Sequence, residues 1–180
     1  MTCVIGLVQD GKIYMGADSQ ASDGWNKRTV ARPKVFKTDR FLIGYTSSFR
    51  MGQLLQYQLE VQSQNSESDY IYMATTVVES VRHCLKKHGW SKVENNQEEI
   101  GSFLVGYNGG LYEIQPDLSI LEHTDGFDAV GVGREYALGA MMALEEMPPK
   151  ARICQALEIV AMFSNGVSAP FTVLEGPAWL

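Results

Sequence analysis

Three residues near the start of the sequence, Thr2, Asp18 and Lys34, have side chains that could carry out nucleophilic chemistry together. A threonine hydroxyl is a poor nucleophile at neutral pH and needs an adjacent base to take its proton. Removal of Met1 would expose the α-amino group of Thr2, whose reference pKa of about 7.7–8.0 makes it a suitable base. A Lys34 ammonium nearby would favour the neutral amine, and Asp18 would keep Lys34 charged and in place.

Each of these residues also has an ordinary structural explanation. A threonine often follows an initiator methionine, an aspartate often ends a strand, and a single lysine is usually a solvated surface charge. The chemical interpretation of Thr2, Asp18 and Lys34 therefore depends on elements that bring all three together.

The element that would position Thr2 is a predicted β-hairpin. Residues 2–9 form its first strand, Asp10-Gly11 is a strong two-residue turn signal, and residues 12–17 form the return strand. The first strand is largely apolar on both faces, which are Val4, Gly6 and Val8 on one side and Cys3, Ile5 and Leu7 on the other. A strand of this kind is covered on both sides and belongs inside a layered structure.

The rest of the sequence alternates between groups of strands and pairs of helices, after a polar, turn-rich segment at 18–33 that is predicted to be a loop. Further strands are predicted at 34–37, 41–46, 101–107, 111–115, 119–122, 129–133 and 171–174. Helices are predicted at 49–61, 69–88, 136–146 and 151–162. Antiparallel hairpins with helices in separate runs predict one α+β domain over residues 1–180, arranged as a four-layer αββα sandwich.

The composition argues against several classes of partner. The 180 residues have a formal net charge of −6 and a pI near 5.1, and no basic stripe is present, so neither nucleic acid nor an anionic membrane is an expected partner. No apolar stretch approaches about 18 residues and no signal-type segment is found, so no membrane span is predicted. The cysteines Cys3, Cys84 and Cys154 are widely spaced and odd in number, which predicts free thiols in a reducing, cytoplasmic compartment.

No cofactor or metal is predicted from the motifs. The phosphate-binding pattern Gly-x-x-x-x-Gly-Lys-Ser/Thr is not found, and Gly131-Val132-Gly133 lacks the full dinucleotide pattern. His83, His88 and His123 have no metal-ligand spacing with cysteines or acids, so we interpret them as surface residues.

The start of the sequence resembles the proteasome β-subunit family, and most of all its bacterial relative HslV. The resemblance is dense over residues 2–50 and rests on the segments Thr2–Val8, Asp10–Lys12, Gly16–Ser19 and Ala31–Val35. The distances along the chain from Thr2 to Asp18 and to Lys34 match those of the family without a gap. The resemblance implies Thr2 as nucleophile and general base, Lys34 as the cation that tunes it, and Asp18 as the residue that orients Lys34.

The same resemblance assigns further residues of the site. The backbone N–H of Ser47, where the family has glycine, would stabilise the oxyanion of acyl transfer. Tyr45 and Phe49 would lie beside the pocket for the substrate residue that precedes the scissile bond, with Arg32 and Phe36 nearby. Core packing is an equally good explanation for these aromatic residues. The segment Gln20, Ala21 and Ser22 would pair with an extended peptide by strand addition.

Two segments depart from the family pattern. A Gly-Ser-Gly segment is replaced here by Gly131-Val132-Gly133, and valine cannot supply the hydrogen bonds of the serine. Near the C-terminus, Ser164, Asn165 or Ser168 could complete the site, or none of them does. Activity also depends on Met1, because with Met1 attached the nitrogen of Thr2 is an amide and cannot act as a base.

Three functions remain open at this point. The first is a threonine peptidase that cleaves peptides inside a ring or stacked rings of identical subunits, with a separate ATP-dependent unfoldase as a further possible partner. The second is a non-catalytic assembly protein that kept the fold, which Val132 and an attached Met1 favour. The third is a small-amide hydrolase with the same nucleophile.

Overall fold

Two antiparallel sheets form the centre of the structure, a computed structural model that describes residues 1–38, 40–94 and 97–176. The first sheet contains, in spatial order, β12 (Phe127–Gly131), β1 (Cys3–Gln9), β2 (Lys12–Asp18) and β13 (Phe171–Glu175). The second contains β11 (Ile120–Glu122), β10 (Gly110–Ile114), β9 (Phe103–Tyr107), β6 (Leu42–Tyr45) and β5 (Val35–Lys37).

Helices cover the outer face of each sheet. The first sheet is covered by α4 (Arg134–Ala143) and α5 (Pro149–Phe163). The second is covered by α1 (Phe49–Tyr57), α2 (Asp69–Tyr72) and α3 (Val78–Lys87), and a π-helical turn at Met73–Val77 joins α2 to α3. The layers therefore run helix, sheet, sheet, helix, which confirms the predicted α+β class and the four-layer αββα sandwich.

Strand β1 shows why the sequence specifies this layering. Val4 packs between the two sheets, whereas Cys3, Ile5 and Leu7 pack against α4 and α5. The alternation of side chains along a strand thus gives β1 two apolar faces, and each face is buried in a different core. The turn between β1 and β2 is formed by Asp10 and Gly11 at φ values of 52° and 71°, as the predicted hairpin requires.

Two short hairpins lie where the sequence shows no clear strand signal. Residues 18–33, predicted to be a loop, contain β3 (Gln20–Ser22) and β4 (Lys27–Thr29), which pair with each other. A second pair is formed by β7 (Lys92–Glu94) and β8 (Gln97–Glu99). Strands of three residues are too short to show a repeated apolar alternation, so their pattern could not be distinguished from that of a loop.

Several helix boundaries differ from their predicted positions. The first helix ends at Tyr57 instead of residue 61, and the predicted helix 69–88 is interrupted by the π-helical turn. The predicted strand 129–133 ends at Gly131, because Gly131 and Gly133 have positive φ values of 93° and 78° that a strand cannot continue through. Helix α4 begins directly after Gly133.

The cysteines are unpaired, as expected. Cys3 and Cys84 are buried and Cys154 is partly buried. Among the described helices, none is both long enough and apolar enough to span a bilayer.

Candidate active site

Thr2, Asp18 and Lys34 come together at one end of the first sheet. Thr2 precedes β1, Asp18 is the last residue of the neighbouring β2, and Lys34 directly precedes β5 in the facing sheet. Antiparallel pairing of β1 with β2 places the start of one strand beside the end of the other, which brings Asp18 to the N-terminus. The backbone carbonyl of Lys34 accepts a hydrogen bond from Tyr45 N at 3.0 Å, which fixes Lys34 next to β6.

The Lys34 ammonium is fully buried and has three acceptors for its three protons. It donates to Asp18 Oδ2 at 2.9 Å, to the carbonyl oxygen of Gln20 at 2.6 Å and to that of Met1 at 3.3 Å. Burial lowers the pKa of Lys34, and the Asp18 carboxylate opposes that shift. The ring of Phe49 lies 5.8 Å from the ammonium and adds a cation–π contact.

Asp18 is held by backbone donors as well as by Lys34. Its Oδ1 accepts from Cys3 N at 3.1 Å, and its Oδ2 accepts from Gln20 N at 2.8 Å. These donors hold the carboxylate in a fixed orientation. The Cys3 thiol beside it is no competing nucleophile, because burial and then Asp18 raise its pKa to about 12.

The peptide bond between Met1 and Thr2 lies at the centre of this group. The Thr2 hydroxyl donates to the Met1 carbonyl oxygen at 2.7 Å, and Lys34 donates to the same oxygen. Thr2 is buried, whereas about half of the Met1 surface is exposed. In this form the nitrogen of Thr2 is an amide, so its lone pair is not available to accept a proton.

Gly131 allows the backbone of β12 to approach Thr2 closely. A Cβ atom at Gly131 would lie 2.1 Å from the Thr2 carbonyl oxygen, and the φ of 93° also disfavours any side chain. Because of this approach, Val132 N donates to the Thr2 carbonyl at 2.8 Å. Val132 thus contributes its backbone to the site, but it has no polar side chain to offer.

Ser47 follows the end of β6 in the left-handed region, with a φ of 64°. Serine therefore adopts the conformation for which glycine is better suited. The absence of a side chain at Gly101 makes room for it, since a Cβ there would lie 2.6 Å from the Ser47 side chain. In the described part of the chain, the Ser47 N–H has no hydrogen-bond acceptor.

A cavity of about 590 Å³ lies beside Phe49. Tyr45, Arg32 and Arg50 are among its walls, whereas Phe36 is buried in the core at 6.4 Å from the Tyr45 ring. Burial raises the pKa of Tyr45 to about 12, so its hydroxyl remains neutral. Neither Arg32 nor Arg50 has an ion pair or a side-chain hydrogen bond within residues 1–38, 40–94 and 97–176, and no acidic residue is among the walls.

A second cavity, of about 570 Å³, is lined in part by Met1. Gln20 and Ser22 line it, and β3, which includes Ala21, pairs with β4 along one edge only in the described structure. Ser164, Asn165 and Ser168 line its opposite wall. The Asn165 carbonyl accepts from Gln20 Nε2 at 2.8 Å, which ties the two walls together.

A group of ionisable residues that the sequence analysis missed lies between the two sheets, away from Thr2. Glu113 on β10 and Asp128 on β12 are buried, and His123 and Arg134 lie against both of them. The four positions come from different elements, so no local spacing signals the group.

Comparison with known structures identifies the fold. No family model matches the sequence. The structure of Thiobacillus denitrificans BPH in complex with epoxomicin is similar over 96% of this chain and 97% of that chain, with a TM-score of 0.78 and 20% identity. HslV from Trypanosoma brucei is similar over 98% and 99% of the two chains, with a TM-score of 0.69 and 15% identity.

A third similar structure is the helical assembly of the Anbu complex from Pseudomonas aeruginosa. It covers 97% of this chain and 80% of that chain, with a TM-score of 0.65 and 22% identity. At such identities the likeness concerns the fold, and that fold extends over nearly the whole chain. The sequence therefore folds as a four-layer αββα sandwich of the kind found in HslV, BPH and Anbu.

Proposed function

We propose that the protein is a threonine-type peptidase whose nucleophile is the hydroxyl of Thr2, exposed by removal of Met1. The observation that carries this proposal is the buried Lys34 ammonium, which is bonded to Asp18 and reaches the carbonyl that precedes Thr2. Burying a charged lysine costs several kcal/mol unless it is paired, as a general estimate. A fold that needed only stability at this position could use an apolar residue instead.

The proposed chemistry begins with the free amine of Thr2. Removal of Met1 replaces the amide with an amine next to the Lys34 ammonium, which favours the neutral, basic form. The amine takes the proton of the Thr2 hydroxyl as the oxygen attacks a peptide carbonyl, and a tetrahedral intermediate forms. The amine then gives the proton to the leaving nitrogen, the C–N bond breaks to leave an acyl-enzyme ester, and water hydrolyses the ester to regenerate Thr2.

The Ser47 N–H supports the stabilisation of the tetrahedral intermediate. A backbone donor that has no acceptor among the described residues is free to bond the oxyanion that forms during attack. Its left-handed conformation and the space provided by Gly101 hold it at the end of β6. The backbone N–H of Val132 bonds the Thr2 carbonyl, a contact that does not depend on the missing serine side chain.

The cavity beside Met1 and the cavity beside Phe49 support binding of an extended peptide. The free edge of β3 would pair with the peptide backbone, and the cavity at Tyr45 and Phe49 would hold the side chain that precedes the scissile bond. Two unpaired arginines, Arg32 and Arg50, and no acidic wall favour an acidic side chain there over a basic one.

Assembly and location follow as further parts of the proposal. We place the protein in a homo-oligomer with the Thr2 sites facing an enclosed chamber, supported by the fold shared with HslV and with the helical Anbu complex. A separate ATP-dependent unfoldase would supply unfolded substrates. The free cysteines are consistent with a reducing cytoplasm.

A non-catalytic assembly role is the second candidate function. It is favoured by Val132, whose side chain cannot hydrogen-bond, and by the Met1 amide, which leaves Thr2 without a base. Both functions use the same fold, so they differ only in the state and reactivity of residue 2.

Labelling with epoxomicin tests the proposal. We expect intact mass to show loss of Met1 and incubation with epoxomicin to add one inhibitor mass, located by peptide mapping to the fragment that begins with Thr2. Thr2→Ser should still be labelled, because it keeps a hydroxyl and an amine.

Thr2→Ala is the matched control, since it keeps the amine and loses only the hydroxyl. An unlabelled protein that has demonstrably lost Met1 would contradict the peptidase proposal and support the assembly role. Equal labelling of Thr2→Ala would show that another group reacts.

A further inference from the structure

The buried ionisable group between the sheets is formed by Glu113, His123, Asp128 and Arg134. Glu113 lies on β10 of the second sheet, and Asp128 lies on β12 of the first. His123 is in the loop between β11 and β12, and Arg134 is the first residue of α4. The group therefore connects both sheets, a loop and a helix.

One carboxylate oxygen in this group has no hydrogen-bond donor. Asp128 is 2% exposed, and its Oδ1 accepts from Ala129 N at 2.7 Å and from Arg134 at 3.3 Å. Its Oδ2 is the only buried side-chain oxygen or nitrogen without a hydrogen bond in the described residues. An unsatisfied buried carboxylate oxygen costs free energy, so its presence calls for a ligand.

His123 Nε2 lies 3.2 Å from this oxygen. The contact is close, but the ring N–H is not directed at the oxygen as a hydrogen bond requires. Glu113 Oε2 lies 3.6 Å from the same nitrogen. Three potential ligand atoms, one nitrogen and two oxygens, thus lie within 4.8 Å of one another.

These separations match the geometry of a zinc ion. Zinc bonds to histidine and carboxylate ligands are about 2.0–2.2 Å long, so tetrahedral angles place ligand atoms about 3.3–3.6 Å apart. The measured distances of 3.2 and 3.6 Å are close to this range. A mixed set of imidazole and carboxylate ligands also suits zinc better than magnesium or calcium.

The charge balance favours a cation as well. The two carboxylates of Glu113 and Asp128 outnumber the one guanidinium of Arg134. The ligand oxygens of Glu113 and Asp128 lie within 4.8 Å of each other, so the two carboxylate charges repel. A divalent cation would relieve this repulsion between two buried carboxylates.

From these observations we propose that Glu113, His123 and Asp128 bind a zinc ion, with water as the fourth ligand. Arg134 is a positioning residue, because it donates to Glu113 Oε2 at 3.2 Å and to Asp128 Oδ1, leaving Asp128 Oδ2 for the metal. His123 is 37% exposed, so the ion enters from the solvent side.

The role of this ion is structural. It joins β10 of one sheet to β12 of the other and fixes the loop that carries His123. Asp128 pairs with Gly6 in the β12–β1 register, whereas Thr2 lies beyond Cys3, which pairs with Gly131. The ion is thus several residues along the sheet from the nucleophile, and the proposal does not depend on peptidase activity.

Titration calorimetry with zinc on the full chain, previously stripped of metals with a chelator, tests the proposal. We expect one high-affinity zinc per chain, and thermal denaturation should show a higher Tm when zinc is present. His123→Ala should weaken binding by at least ~10-fold and remove the Tm increase, as loss of a ligand requires. Asp128→Asn should weaken binding similarly.

The double variant His83→Ala/His88→Ala is the matched control, because these histidines lie outside the group, and it should bind zinc like the wild type. Cobalt gives an independent readout, since a tetrahedral site produces a strong visible absorption that His123→Ala should lose. No stoichiometric zinc binding by the wild type, or undiminished binding by His123→Ala and Asp128→Asn, would overturn the proposal. An equal Tm increase with magnesium would also contradict it.

Discussion

Two groups of buried charges lie in this sandwich, and they differ in how completely their hydrogen bonds are satisfied. At Lys34, three ammonium protons meet three acceptors, and Asp18 uses both of its oxygens. Between the sheets, Asp128 Oδ2 has no hydrogen bond, although Arg134 lies close by.

The difference indicates that the two groups would serve function in different ways. A fully bonded group holds its members in one orientation, which suits a site that must position a nucleophile before the substrate arrives. A group with an unused ligand atom is incomplete until something binds. Arg32 and Arg50 of the cavity belong to this second kind, since within the described residues they have no ion pair and the proposed function gives them an acidic substrate side chain.

The largest effect should come from removing the charge of Lys34, whose hydrogen bonds are all satisfied. Lys34→Met removes the cation and leaves the Asp18 carboxylate buried without its counter-ion, which we expect to cost about 3–5 kcal/mol of unfolding free energy. Loss of the cation beside the Thr2 amine should lower kcat/KM by about 10²–10⁴-fold. Denaturant unfolding and peptide hydrolysis measure the two effects.

Lys12→Met is its matched control. Lys12 pairs with Glu175 at 3.5 Å, but the pair is largely solvent-exposed, so the change should cost at most about 1 kcal/mol. Similar losses of unfolding free energy in the two variants would show that the buried ion pair of Lys34 stabilises the fold no more than an exposed one.

The next effect concerns the close approach of β12 to Thr2. Gly131→Ala should destabilise the fold by about 2–4 kcal/mol, because it combines a positive φ with a clash against the Thr2 carbonyl. Gly11→Ala separates the two causes, since Gly11 has a φ of 71° but no atom within 4 Å of an added Cβ. We expect Gly11→Ala to cost only about 1–2 kcal/mol, and an equal cost for both would refute the clash.

A smaller effect concerns the unpaired arginines. Peptides with glutamate before the scissile bond should be cleaved at least ~10-fold more efficiently than the same peptides with lysine there, as complementary charge predicts. Arg32→Gln/Arg50→Gln should reduce this ratio to near 1, whereas Lys87→Gln on α3 should leave it unchanged. A ratio that persists in the double variant would place the charge recognition elsewhere.

The smallest effect should come from Asp128→Asn in metal-free protein. The amide keeps one oxygen for Ala129 N and Arg134 and removes one of two neighbouring carboxylates, so unfolding free energy should change by no more than about 1 kcal/mol. A loss of unfolding free energy as large as that of Lys34→Met would contradict the difference between the two groups.

Much of the fold could be predicted because its signals are local. The two apolar faces of β1 and the Asp10-Gly11 turn indicated a hairpin covered on both sides, and the structure confirms both. Thr2, Asp18 and Lys34 could be selected because their spacing along the chain matches that of the proteasome β-subunit family. The structure brings them together, while their catalytic roles remain predictions.

Other features depend on tertiary contacts that no sequence pattern contains. Arg50 on α1 and Arg32 line the same cavity only because the helix packs over β6. His123 has no ligand spacing with Glu113 or Asp128 along the chain, and only the packing of the two sheets against each other brings β10 and β12 close enough. The conformation of Ser47 also depends on the space left by Gly101 on a distant segment.

The most direct test of the central claim is hydrolysis of a peptide panel by protein whose Thr2 amine has been verified by N-terminal mass analysis. We predict turnover by the wild type, retained activity in Thr2→Ser, and activity at background in Thr2→Ala. A Met1-free, folded and assembled protein that cleaves no peptide, or one whose activity survives in Thr2→Ala, would contradict the assignment of Thr2 as the nucleophile.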